Sequence, residues 1–128
     1  MSGLVVDTSV WIDFFSGRTF PELEQALKDG RVTLSPIVRA ELLSGPMSPA
    51  REKQLIDFLD DLDYYPTTES HWTAVGRARR LYGENGLKVS IPDAHIAQCA
   101  LETDGILYSF DRIFSRLTRI IPLRMIKV

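Results

Sequence analysis

Gly3-Leu4-Val5-Val6-Asp7-Thr8-Ser9 is the stretch that decides the fold of this chain. Its uncharged first half is a short apolar run, which is typical of a buried strand. A carboxylate ends the run, and the two hydroxyl residues after it can cap a helix over roughly residues 10–16. A strand that passes directly into a helix is the first half of a β–α unit, so the stretch predicts an α/β fold.

Strand and helix patterns alternate along the rest of the sequence. Short strands are predicted at residues 31–34, 106–109 and 123–128, and Pro122 makes the last of them an edge candidate. Prolines, glycines and capping residues predict helices over residues 20–29, 35–45, 48–61, 69–82, 90–103 and 111–117. This order predicts a single α/β domain over residues 1–128, in which helices cover both faces of a central, mostly parallel sheet.

The composition argues against several classes of protein. A hydrophobic fraction of 45% is ordinary for a soluble globular domain, and no apolar run approaches the ~18 residues of a membrane span. Cys99 is the single cysteine, which rules out an internal disulfide and fits a reducing compartment. The first residues lack the basic start of a signal peptide. We therefore expect a cytoplasmic protein with no membrane partner.

Charge is distributed unevenly over the chain, whose net charge is −2. Residues 1–64 hold 6 Lys/Arg and 11 Asp/Glu, whereas residues 65–128 hold 9 and 6. The basic second half could lie beside a polyanion, although ordinary solvated faces explain it as well. An acidic protein can still act on nucleic acid if metal ions neutralise its site.

Two acidic residues lie where predicted strands end. Asp7 ends the first strand, and Asp111 follows the strand that ends at Ser109. Sites in open α/β sheets form outside the carboxyl ends of the strands, so parallel pairing would place both carboxylates on the same edge. Each acid could instead serve only as the cap of the helix that follows it.

Two further acids point toward the apolar side of their predicted helices. At about 100° per residue, Glu41 falls at ~40° on its helix, between Ile37 at 0° and Val38 at ~100°. Asp93 lies at the centre of the apolar stripe of a later helix, although a Ser-x-x-Asp capping box that begins at Ser90 is the alternative explanation. A buried carboxylate needs a cation, a partner or a proton.

Four carboxylates in one small pocket indicate a metal site. They cannot all stay ionised unless a cation cancels part of their charge. Ligand sets made only of oxygen favour Mg²⁺ or Mn²⁺, and such ions promote phosphoester hydrolysis by activating water and stabilising charge. The hydroxyls of Thr8, Ser9 and Ser109 lie beside two of the acids and could orient them, although strand-end and capping roles would also explain these residues.

Four stretches of the chain resemble the PIN-domain ribonucleases, and more narrowly the VapC-type toxin of VapBC toxin–antitoxin pairs. They are Val5-Val6-Asp7-Thr8-Ser9-Val10-Trp11, Arg39-Ala40-Glu41-Leu42-Leu43-Ser44-Gly45, Ile91-Pro92-Asp93-Ala94-His95-Ile96-Ala97 and Ser109-Phe110-Asp111-Arg112-Ile113-Phe114. Their order and spacing match over nearly the whole chain. The last motif often carries threonine where this chain has Ser109, a change that keeps the hydroxyl.

The resemblance implies an α/β/α sandwich and an Mg²⁺- or Mn²⁺-dependent endoribonuclease that hydrolyses RNA phosphodiesters by metal-activated water. It implies three partners, namely an RNA substrate, a second copy in a homodimer, and a cognate antitoxin that covers the active-site cleft. The positions that match the family's catalytic, metal-binding acids are Asp7, Glu41, Asp93 and Asp111.

Other polar residues have ordinary structural explanations. His95 falls on the predicted wet face of its helix, whereas His71 shares an apolar stripe and is expected in the core. Neither has a sequence neighbour at metal-ligand spacing, and Cys99 is expected to be a packing residue. Four arginines could bind an RNA backbone or simply form solvated faces, namely Arg77, Arg80, Arg112 and Arg116.

Two other functions stay open at this point. A phosphoaspartate phosphatase or receiver also places an Asp at the end of its first strand. The phosphatase needs a second Asp where this chain has Ser9, and the receiver needs a late lysine, for which the chain offers only Lys127. The other alternative is a PIN fold that has lost its chemistry and only docks a partner. The distinction between RNA and DNA rests on the resemblance alone.

Overall fold

A parallel sheet forms the centre of the computed structural model, which describes residues 2–127. Its strands are β1 (Leu4–Val6), β2 (Val32–Leu34), β3 (Asp63–Tyr64), β4 (Ile106–Ser109) and β5 (Met125–Lys127). They lie in the order β3-β2-β1-β4-β5, and every described pairing is parallel. With helices packed on it, the sheet forms an α/β/α sandwich, which confirms the predicted fold class.

Seven described helices connect and cover the strands. They are α1 (Thr8–Phe15), α2 (Pro21–Lys28), α3 (Pro36–Leu43), α4 (Pro49–Asp60), α5 (Glu69–Glu84), α6 (Ile91–Glu102) and α7 (Arg112–Leu117). Hydroxyl side chains that accept backbone N–H groups start four of them, namely Ser35, Ser48, Thr68 and Ser90. Because these caps are legible in sequence, the predicted helices fall within a few residues of the observed ones.

The edges of the sheet differ from the prediction. Strand β3 was not predicted, because two exposed residues, Asp63 and Tyr64, carry no apolar pattern. Strand β5 begins at Met125 instead of residue 123, and it is an edge strand, as Pro122 indicated. The end of the predicted strand, Val128, lies outside the described residues.

The core is densest around β1. Leu4, Val5 and Val6 are all buried, so both faces of this strand are covered, as the inner strands of a parallel sheet require. Helix α6 packs on β1 and β4 and buries a row of small residues, namely Ala94, Ala97 and Ala100. Within residues 2–127, no helix is both long and apolar enough to cross a membrane.

Replacing Leu107, which is fully buried in β4, tests the sheet core. Leu107→Ala should lower the free energy of unfolding by about 2–5 kcal/mol, because the lost apolar contacts leave a cavity. Leu81→Ala, on the exposed side of α5, should change it by less than about 0.5 kcal/mol. Urea unfolding followed by circular dichroism measures both, and equal midpoints would contradict this packing.

Candidate active site

Asp7 is the central acid of the site, at the end of β1. It is 9% exposed, and its two carboxylate oxygens accept separate hydrogen bonds. The backbone N–H of Thr8 donates to Oδ1 over 2.8 Å, and Ser109 Oγ donates to Oδ2 over 2.8 Å. Parallel pairing of Val6 with Tyr108 brings these strand ends side by side. The carboxylate is therefore fixed by both strands and by the start of α1.

Asp111 lies on the same edge of the sheet, after β4. Its backbone N–H donates to Ser109 Oγ over 3.0 Å, so one hydroxyl connects Asp7 with the turn that carries Asp111. The carboxylate itself is exposed and accepts the N–H of Ile113 over 3.0 Å. Both strand-end acids therefore cap helices and also lie next to each other, and the two roles are compatible.

Glu41 reaches the same region from α3. Thr8 Oγ1 donates to Glu41 Oε1 over 2.7 Å, and this bond joins the start of α1 to the end of α3. Contrary to the sequence prediction, Glu41 is exposed and does not point into the core. The buried line of α3 runs through Val38 and Leu42, and Glu41 lies about 100° around the helix from Leu42, at the border of that line.

Asp93 completes the cluster from the first turn of α6. It is half-buried, and its backbone N–H donates to the cap Ser90 over 3.2 Å. Burial raises the pKa of Asp93, and the nearby charges of Asp111, Asp7 and Glu41 raise it further. The capping contact is therefore real, and the side chain also lies within the electrostatic field of the other three acids.

The cluster is electrostatically strained in the absence of a cation. Burial raises the pKa of Asp7; the hydrogen bonds from Ser109 and Thr8 oppose this shift, while the charges of Asp111 and Glu41 add to it. A set of four carboxylates, in which burial and neighbouring charges raise the pKa of Asp7 and Asp93, has the chemistry of a site for a hard divalent cation. The residues present therefore fit Mg²⁺ or Mn²⁺.

The other predicted site residues divide into those near the acids and those apart from them. Thr8 and Ser109 bond the acids as described, whereas Ser9 is exposed and bonds none of them among the described residues. Four arginines are exposed, namely Arg77 and Arg80 on α5 and Arg112 and Arg116 on α7. One of them, Arg80, lines a shallow cavity of about 580 Å³ together with Lys88, a residue that the sequence analysis did not single out.

The histidines are placed differently from the prediction. His95 is fully buried, because α5 packs over the side of α6 that was expected to face water. Burial and the neighbouring His71 lower the pKa of His95 to about 4. The expectation that neither histidine has a metal-ligand neighbour was also wrong, since ligand atoms of His71, His95 and Cys99 lie within 4.8 Å of one another. His71 and Cys99 are buried, as predicted.

An apolar groove of about 630 Å³ lies between residues of α1, α3 and α4 and was not predicted as a groove. Ile12 on α1, 52% exposed, is one turn beyond Thr8, and Leu42 directly follows Glu41. The groove is lined mainly by apolar side chains, including Ile12, Phe15, Leu42, Met47, Leu55 and Phe58. Trp11, by contrast, is fully buried beneath it, in a cluster with Phe15 and Phe58.

Comparison with known proteins agrees with this architecture. Residues 4–120 match the PIN domain family. The fold is similar to that of DNA-bound VapBC from Salmonella typhimurium (21% identity, TM-score 0.81, 99% of this chain and 98% of that one). It is also similar to VapBC-5 from Mycobacterium tuberculosis (22%, 0.74, 100% of both) and to VapBC2 from Rickettsia felis (18%, 0.77, 97% of both). No curated protein matches the sequence.

Asp93→Asn tests the strain within the cluster. Since the fold raises the pKa of Asp93 above 3.8, the metal-free protein loses stability as pH rises from about 4 through the raised value. At pH 7 in EDTA, the variant should therefore melt higher than the unsubstituted protein, by about 2–4 °C. The gain should vanish at pH 3, where the carboxyl is neutral in both states.

Glu84→Gln is the matched control, because it removes an exposed carboxylate of α5 and leaves the cluster intact. Its melting temperature should stay within about 1 °C of the unsubstituted protein, as for an ordinary surface change. Both variants are followed by differential scanning calorimetry. A lower melting temperature for Asp93→Asn at pH 7 would contradict the electrostatic account.

Proposed function

Because this chain belongs to the PIN domain family, we propose that it is a metal-dependent endoribonuclease, the VapC-type toxin of a toxin–antitoxin pair. Asp7, Glu41, Asp93 and Asp111 are its catalytic, metal-binding residues, and Mg²⁺ or Mn²⁺ is the cofactor. The observation that carries the proposal is that these four carboxylates share one electrostatic neighbourhood. Asp7 and Asp111 follow β1 and β4 and share the hydroxyl of Ser109, and Thr8 joins Glu41 to the start of α1. The charges of Asp111, Asp7 and Glu41 raise the pKa of Asp93.

The acids differ in what they contribute. Asp7 is the fixed member, since both of its oxygens are already oriented by donors from α1 and β4. Glu41 and Asp111 are exposed, which leaves an approach for a phosphate from solvent. A divalent ion at this site would activate the attacking water and stabilise negative charge on the phosphate and the leaving oxygen. The four carboxylates would hold the positive charge of the ion in place without moving.

The RNA backbone would be held by basic residues around the acids. Arg112 and Arg116 lie on α7, which starts directly after Asp111. Arg80 and Lys88 line the shallow cavity at the end of α5, close in sequence to the cap of α6. Lys and Arg contacts to phosphates provide affinity that does not depend on sequence, and Arg77 on α5 is part of the same proposal.

The antitoxin is proposed to seat an apolar segment in the groove along α1, α3 and α4. This groove exposes Ile12 next to the acids, as an inhibitor that covers the active site would require. The similar structures support such a partner, since VapBC-5 from Mycobacterium tuberculosis is a member of the VapBC family of toxin–antitoxin systems. A homodimer, which the family resemblance implies, belongs to the same proposal, as do the cytoplasmic location expected from the composition and the single domain over residues 1–128 expected from the order of strands and helices.

Cleavage of RNA tests the proposed activity directly. The purified protein should cut a mixed single-stranded RNA pool with Mg²⁺ or Mn²⁺, and EDTA should stop it. Asp93→Asn should reduce the rate by roughly 100-fold or more, because it removes one charged ligand of the cation. Glu84→Gln should cut at the normal rate. The measurement is product formation on denaturing gels, with a single-stranded DNA pool in parallel.

Three outcomes would contradict the proposal in different ways. Cutting by Asp93→Asn at the normal rate would remove the carboxylate cluster from the reaction. Cutting of DNA but not RNA would make the substrate assignment wrong. No cutting of either pool by protein shown to be free of antitoxin would favour a binding module.

Ile12→Glu tests the antitoxin surface. A charge in the apolar groove should weaken binding of the co-expressed cognate antitoxin at least tenfold, about 1.4 kcal/mol, because the carboxylate would be desolvated. Leu81→Glu, which changes an exposed leucine on α5 outside the groove, should bind normally. Isothermal titration with refolded toxin measures both affinities, and equal values would remove the groove from the interface.

A further inference from the structure

Three buried polar side chains and one exposed carboxylate, Glu102, form a continuous series of hydrogen bonds outside the acid cluster. Ser35 Oγ lies 2.6 Å from His95 Nε2, His95 Nδ1 lies 2.7 Å from His71 Nε2, and His71 Nδ1 lies 2.9 Å from Glu102 Oε1. Ser35, His95 and His71 are at most 2% exposed. The series runs from the start of α3 to α6, on to His71 of α5 and back to the end of α6 at Glu102, and none of its members belongs to the acid cluster.

The direction of every bond in the chain follows from Ser35. Its oxygen accepts the backbone N–H groups of Ile37 and Val38, which occupies both of its lone pairs. The Ser35 hydroxyl must therefore donate to His95 Nε2. The proton of His95 is then on Nδ1 and is donated to His71 Nε2, and the proton of His71 is on Nδ1 and is donated to Glu102. In this arrangement every ring nitrogen has a partner.

This hydrogen-bonding pattern also shows whether the nearby thiol of Cys99 belongs to a metal site. Cys99 Sγ lies 3.5 Å from His95 Nε2 and 3.9 Å from Nδ1, so two imidazoles and a thiol, which are ligands that a soft metal ion prefers, are close together. A metal ion at these atoms would have to break the short His71–His95 bond in a fully satisfied, buried network. The geometry is therefore that of a hydrogen-bonded link and not of a metal site.

The Glu102 end of this series of hydrogen bonds is also held by other residues. Glu102 also accepts a hydrogen bond from Tyr65, and Gln98 Nε2 donates to it over 2.8 Å. Burial raises the pKa of Glu102, but the bonds from Tyr65, His71 and Gln98 outweigh this and leave it below its ordinary value. A charged carboxylate therefore holds the orientation of His71, and through it the orientation of His95.

We propose that His95 is a positioning residue, which sets α3 and α6 relative to each other so that Glu41 and Asp93 meet on one cation. Ser35 is the N-cap of α3, the helix that carries Glu41, and His95 lies two residues beyond Asp93 on α6. The Ser35–His95 bond thus joins two acid-bearing helices that come from separate parts of the chain. A directional bond fixes one relative placement, which apolar packing alone does not. This inference rests on the proposed metal site.

Two amide substitutions of His95 test its bond to Ser35 and its bond to His71 separately. The oxygen of Gln reaches the position of Nε2, so His95→Gln keeps an acceptor for Ser35 and loses the bond to His71. The amide of Asn reaches the position of Nδ1, so His95→Asn keeps a donor for His71 and loses the bond to Ser35. Each variant loses one buried hydrogen bond, and their general effects on stability are therefore matched.

The measurement is Mn²⁺ binding to purified, antitoxin-free protein, with free Mn²⁺ followed by electron paramagnetic resonance. His95→Asn should raise the dissociation constant about threefold to tenfold, near the lower limit for groups that orient a metal ligand. His95→Gln should stay within about twofold of the unsubstituted protein. Ser35→Ala should reproduce the loss, and Ser35→Thr, which keeps the hydroxyl, should restore binding; this pair gives the same test if His95→Asn does not fold.

The outcomes separate this inference from the proposed function. Equal Mn²⁺ affinities for His95→Asn and His95→Gln would overturn the positioning role, as would a loss confined to His95→Gln. No Mn²⁺ binding by the unsubstituted protein would overturn the metal site and this inference together. Mn²⁺ binding with the expected loss in His95→Asn, but without RNA cleavage, would support the inference and contradict the nuclease.

Discussion

The parallel pairing of β1 with β4 is the constraint on which the site depends. Opposite Val6 lies Tyr108, so the residues that follow, Asp7 and Ser109, emerge side by side from the same edge. One hydroxyl can then bond the carboxylate of Asp7 and accept the N–H of Asp111. An antiparallel pairing would place these residues at opposite ends of the sheet, and helices α1 and α7 would no longer start next to each other.

The sequence analysis predicted the features that a short stretch of residues determines by itself. Capping hydroxyls such as Ser35 and Ser90 located the helix starts, and an apolar run located β1. The two strand-end acids could be placed together because parallel strands share an edge. Errors arose where two elements meet. A helical projection assigns one wet face, but α6 is covered by both the sheet and α5, which buried His95. On α3 the projection made the opposite error, because the buried line runs through Val38 and Leu42 and leaves Glu41 exposed at its border.

The site lowers the stability of the fold, because it keeps carboxylates close to one another. Asp7 and Asp93 are partly desolvated and lie among like charges, and both effects raise the cost of ionising them. Hydrogen bonds from Ser109 and from the backbone N–H of Thr8 stabilise the charged form of Asp7 and offset part of this cost, and a hydrogen bond with Ser90 does the same for Asp93. Such tension is typical of active sites, where the fold holds groups that would separate if they were free to move.

Thr8 and Ile12 lie one turn apart on α1, so the contact with Glu41 and the apolar groove lie on the same face of this helix. The spacing between them is about 6 Å along the helix axis, so both positions lie close together. An inhibitor in the groove and a substrate at the acids would then compete for overlapping space. Inhibition of this kind is titratable: its strength depends on the ratio of inhibitor to enzyme, and abundant substrate weakens it.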